Sequence, residues 1–234
     1  FLRRDMAGIF QNIELMGVVG SDYDAQVYEQ DGYFMTVIDD FLAKEDCLKY
    51  IEYMQPNDHF HDGGESRVIT IAAEDTQLAK LSESLYAKVS DLTGAPRTNI
   101  ERISIEKHNS SSAYLADNYK WIPNEDLKGG GSRVLMIYIS LNTVPEGLGG
   151  KLEFASMKKE FAPVQGQAIL IPCVKGLYHR YEIDIDTYSV LEEEVRVSFR
   201  HTPLSKPAAY DTFGDYESSK YGIFVYVREF PYLQ

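Results

Sequence analysis

The chain has 234 residues, 44% of them apolar and 25% charged, and a net charge of −13. That balance suits one large globular domain with a substantial core. The negative charge argues against an electrostatic grip on nucleic acid or an anionic membrane, and no apolar run approaches the ~20 residues of a membrane-spanning helix.

Residues 1–31 show no sustained period and read as an N-terminal arm. Tyr33-Phe-Met-Thr-Val-Ile38 reads as a strand. Apolar positions at 41, 42, 47, 48, 51 and 54 then predict an amphipathic helix up to Met54. The polar stretch Gln55 to Ser66 is a loop, and its His59 and His61, set among Asn, Asp and Gly, read as solvated. Arg67–Ala72 is a predicted strand. A second helix runs from Asp75 to Asp91, capped by Asp75 or Thr76, with Leu78, Leu81, Leu85 and Val89 on one face. Thr93-Gly94 ends it.

Ile100 to His108 alternates, with Ile100, Arg102 and Ser104 against Glu101, Ile103 and Ile105, as a half-buried strand does. Asn109 to Ser112 breaks it, and Lys120 to Gly131 is a Gly-rich loop. Between Ser132 and Arg200 lie the strands Val134–Leu141, Lys151–Phe154 and Gly166–Pro172, then a lone His179 and a strand carrying Arg196 and Ser198. A polar link, Ser205 to Lys220, leads to a last strand, Tyr221–Val227. Two helices followed by about eight strands predict an α+β fold, with the strands in a sandwich or jelly roll. Cys47 and Cys173 form no disulfide framework and read as buried free thiols, which suits a reducing compartment such as the cytoplasm.

The order of these elements resembles the prolyl 4-hydroxylase type of iron and 2-oxoglutarate oxygenases. The resemblance is carried by Val37-Ile-Asp-Asp-Phe-Leu42 with Cys47, Leu92-Thr-Gly94, Glu101–Lys107, Ile137–Asn142, Gly149–Phe154, Gly166–Ile171, His179 and Arg196. It covers residues 32–204, leaving 1–31 as an arm and 205–234 as a C-terminal link and strand. It implies a double-stranded β-helix (jelly roll) with two helices packed on one side. Such enzymes hold Fe(II) with two His and one carboxylate and leave open positions for 2-oxoglutarate and dioxygen. If active, the chain would decarboxylate 2-oxoglutarate to succinate and hydroxylate a C–H bond of a protein or small-molecule substrate; peptidyl proline is the family's usual one.

Carried over residue by residue, the resemblance makes His179 the distal metal ligand. Arg196 pairs with the far carboxylate of 2-oxoglutarate, with Ser198, Tyr138 and Ser140 lining the same pocket. The family's His-x-Asp pair is missing. In Tyr114-Leu-Ala-Asp-Asn-Tyr119, Asp117 stands where the histidine belongs and Tyr119 where the carboxylate belongs. Three arrangements follow. Asp117 and His179 hold iron with help from Tyr119, His108 or solvent; or Glu106 and His108, facing one way on a strand, supply the missing ligands; or the metal site has decayed and the fold survives as a binding or structural module of a larger assembly. A partly buried histidine at 179 and a surface ion pair at Arg196, beside Glu192, Glu193 and Glu194, are the plain structural accounts of those two residues.

Overall fold

The computed structural model describes residues 23–30, 33–54, 66–70, 78–109, 133–155, 157–172, 199–202, 204, 219–228 and 231. The helices are α1 (Lys44–Met54) and α2 (Ala79–Thr93). The strands are β1 (Ala25–Gln30), β2 (Tyr33–Ile38), β3 (Ser66–Thr70), β4 (Ser104–Asn109), β5 (Arg133–Ser140), β6 (Leu152–Phe154), β7 (Lys159–Phe161), β8 (Ala168–Pro172), β9 (Phe199–His201) and β10 (Ser219–Arg228). Seven form one sheet in the order β1-β2-β8-β5-β10-β4-β3, and three form a smaller one in the order β7-β6-β9. Every strand pairing described is antiparallel.

Strand alternation sorts the side chains of the large sheet onto two faces. On one face of the large sheet, Ile105, Ile137, Ile139, Ile223 and Val225 pack with Cys47, Tyr50 and Met54 of α1 and with Leu85, Val89 and Leu92 of α2. On the other face, Met136, Tyr138, Ile169 and Phe224 pack with Leu152 and Phe154 of the small sheet. The large sheet is therefore covered on both sides. The architecture is α+β, as the order of elements predicts, with both helices on one face of the large sheet.

Several boundaries differ from the sequence expectation. The arm contributes β1, which pairs along its length with β2. Helix α2 begins at Ala79, and Leu78 precedes it without a side-chain cap; Asp75 and Thr76 lie outside the described residues. Its end is as predicted: Gly94 takes φ 71°, and its N–H donates to the Ser90 carbonyl. The C-terminal strand, set apart by the sequence reading, is in the body of the large sheet, where β10 pairs with both β4 and β5. Being covered on both faces, it is buried almost end to end and reads as a near-continuous apolar run.

A buried ion cluster ties the far end of this arrangement together. Arg133 donates to Glu101 through Nε and Nη2, both at 2.7 Å, and Arg228 donates from Nε at 2.5 Å. The Arg133 guanidinium also lies 3.8 Å from the centroid of the Tyr226 ring. Among the described residues no helix is long and apolar enough to cross a membrane.

Candidate metal centre

Alternate residues of β4 project to opposite faces. Ile103 and Ile105 join the helix-side core, so Glu106 and His108 point toward the small sheet. Two further strands bring polar groups to the same place. On β9, His201 stands opposite Leu152, which is part of the apolar layer between the sheets. On β10, Lys220 stands opposite His108. Glu106 is 1% exposed, His108 and His201 4% each, and Lys220 0%. Charged side chains are almost never hidden so completely unless partnered.

They are partnered by one another. His108 Nε2 lies 2.9 Å from Glu106 Oε2, and His201 Nε2 lies 3.6 Å from Glu106 Oε1. The two imidazole rings are 4.3 Å apart with a 32° tilt. Lys220 Nζ is 2.5 Å from His201 Nδ1. One ligand-type atom from each of Glu106, His108 and His201 lies within 4.8 Å of the others. Donors bound about 2.1 Å from a common ion at right angles lie about 3 Å apart; the His108 edge, to Oε2, is of that order, and the His201 edge, to the other oxygen Oε1, is longer.

Protonation agrees with a ligating role. Burial by itself pushes the Glu106 carboxyl up, but His201, His108 and Lys220 around it outweigh that and hold it down at about 2. Burial drives His201 well below the ordinary histidine value, against the pull of Glu106. An ionised carboxylate and a neutral imidazole are the forms that bind metals. Glu106 Oε1 and His108 Nε2 are buried without a hydrogen bond in acceptable geometry among the described residues. Two imidazoles and one carboxylate, the latter with an oxygen that makes no hydrogen bond among the described residues, fit a divalent transition ion.

Tyr138 and Ser140, expected to line a co-substrate pocket, both lie on the small-sheet side of β5. The Tyr138 ring meets His201 edge-on with centroids 5.8 Å apart, and Lys220 Nζ is 5.5 Å from its centroid. Ser140 is buried opposite Gly222. Asp117, Tyr119, His179, Arg196 and Ser198 lie outside the described residues, as do His59, His61 and Cys173. Of the sequence-stated alternatives, the described structure assembles Glu106 with His108. It adds His201 and Lys220, which the sequence reading did not single out. The available signal was a polar residue at a strand end: His201 continues the alternation of Val195, Val197 and Phe199, and Lys220 that of Gly222 and Phe224.

No family model matches the sequence, and no curated protein does. Solved structures do match in fold. A viral collagen prolyl hydroxylase, vCPH from Paramecium Bursaria Chlorella virus-1, is 15% identical over 86% of this chain and 92% of its own, with a TM-score of 0.56. A Pseudomonas putida prolyl-4-hydroxylase is 10% identical over 94% and 98%, with a TM-score of 0.52. HygX from Streptomyces hygroscopicus, solved with nickel, 2-oxoglutarate and hygromycin B, is 10% identical over 85% and 84%, with a TM-score of 0.50. The chain thus shares its fold with these two prolyl hydroxylases and with HygX.

Proposed function

We propose that the chain is an Fe(II)- and 2-oxoglutarate-dependent oxygenase on a double-stranded β-helix, with its metal held by Glu106, His108 and His201. The observation that carries this reading is the meeting of two imidazoles and one carboxylate, all buried, between the two sheets. Fe(II) bound there would supply the redox chemistry by which 2-oxoglutarate is oxidatively decarboxylated and a C–H bond hydroxylated. The chain's own residues do the rest. Ionised Glu106 presents lone pairs without first shedding a proton, whereas a neutral His201 that accepts from Lys220 at Nδ1 carries its proton on Nε2 and gives it up when it binds the metal. Lys220 holds the far carboxylate of 2-oxoglutarate as a compact cation, the part the resemblance gives to Arg196. Tyr138 and Phe224, in edge contact at 5.1 Å, keep water from the inner wall.

The substrate to try first is a peptidyl proline, because prolyl hydroxylases are among the structural neighbours. The competing ligand set, Asp117, Tyr119 and His179 with Arg196 and Ser198, is tested by the same variants. Protein purified without oxygen is assayed for bound iron and for succinate release. His201→Ala is expected to lose both, while His179→Ala keeps them; the reverse pattern moves the metal to the competing set. A second reading, a non-catalytic module, draws on the fact that Glu106 already has ionic partners inside the cluster. Wild-type protein that takes up no iron and releases no succinate establishes that reading.

A further inference from the structure

Among the described residues on the floor of this site, Gly222 has no side chain. On β10 it stands opposite Glu106 on one side and Ser140 on the other. Cross-strand partners share a face of the sheet, so a Cβ at 222 would project toward the cluster. It would lie 2.3 Å from Tyr138 Oη, 2.5 Å from Cζ and 2.7 Å from Cε2. No unbonded carbon is tolerated at those separations. The Tyr138 ring therefore lies across the Gly222 backbone, in the volume that any other residue would claim. Gly222 is not among the glycines with positive φ, so the need is for space and not for an unusual backbone. Glycine weakens the interior of a strand and often marks such a close approach.

We infer that Gly222 is a positioning residue: by leaving its niche to the Tyr138 ring, it fixes that ring beside Lys220 and His201. It thereby shapes the recess in which the far carboxylate of 2-oxoglutarate is held, and in this it rests on the co-substrate reading above. The ring's edge contacts with both His201 and Phe224 leave it little room to move elsewhere.

The test is a cycle of wild type, Gly222→Ala, Tyr138→Leu and the double variant. Each is loaded with Mn(II), titrated calorimetrically with 2-oxoglutarate, and separately unfolded in urea without metal. Gly222→Ala is expected to keep Mn(II) affinity within about twofold while binding 2-oxoglutarate about tenfold more weakly or worse, a split that general loosening does not produce. In unfolding, the double variant is expected to lose less than the sum of the single losses. Unchanged 2-oxoglutarate affinity in Gly222→Ala, or additive unfolding losses, overturns the inference and leaves the proposed function standing. Wild type that binds Mn(II) but no 2-oxoglutarate removes the co-substrate reading instead, and the unfolding cycle alone then decides: non-additivity supports the niche, additivity overturns it. Should Gly222→Ala fail to fold, a cooperative transition regained in the double variant supports the niche and its absence overturns it.

Discussion

Hiding Glu106, His108, His201 and Lys220 together is a poor way to make a stable core, since a well-packed apolar replacement of a buried ion pair is often neutral or better. Removing one partner alone is different, because it strands the other. Glu106→Gln takes away a buried carboxylate that the Lys220 charge helps to hold ionised, and is expected to lower stability by about 3–5 kcal/mol in urea unfolding. The double variant Glu106→Gln/Lys220→Met, which removes both charges, is expected to recover most of that loss, yet to bind Mn(II) no better than the single variant. Equal instability of the single and double variants would show that these two charges do not answer each other. Half of this cluster was legible in the sequence, because Glu106 and His108 sit two apart on an alternating strand. His201 was hidden by more conspicuous neighbours, Arg196 and Ser198, on the opposite alternation of the same run. Lys220 resembled the polar link before it, and only its pairing with His108 shows that it is buried.

Helix α1 shows how one apolar stripe controls titration. Cys47 and Tyr50 both face the sheet and are fully buried. Burial pushes the Cys47 thiol from an ordinary 9.0 up to about 12, and pushes the Tyr50 phenol up as well. Below pH 9 both groups are neutral in the folded and unfolded chain, so the stabilisation is fully present. Between pH 9 and 12 the unfolded chain gives up the thiol proton while the fold retains it, and stability falls by up to ~1.4 kcal/mol per pH unit for each group. Urea midpoints are therefore expected to drop from pH 9 to 11, with a shallower drop in Cys47→Ala; flat midpoints would mean that the thiol is not held neutral. This stripe was readable because helical spacing is local. The three-residue strand β7 was not, since Lys159 and Glu160 are exposed and the run has no apolar alternation to betray it.

At the scale of the whole molecule, a strand's sequence says that it is buried but not between which neighbours. The run Tyr221–Val227 was legible as a strand, yet its place between β4 and β5 depends on partners from the distant middle of the chain. Those long-range pairings decide which residues are structural and which are functional. They put Lys220 against His108 and Gly222 between Glu106 and Ser140, and they seat Arg228 on Glu101 at the other end. If β10 were an appendage, a chain ending at residue 204 would keep its cooperative fold and lose a little stability. As a central strand, its removal leaves β4 and β5 with unpaired edges, exposes apolar surface on both faces and strips Glu101 of one of its arginines. The chain 1–204 is therefore expected to show no cooperative thermal transition by circular dichroism, and adding residues 205–234 as a separate peptide at excess is expected to restore one. A sharp transition in the truncated chain alone would mean that the remaining strands close into a sheet without β10, and that Lys220 and Gly222 are not part of the site.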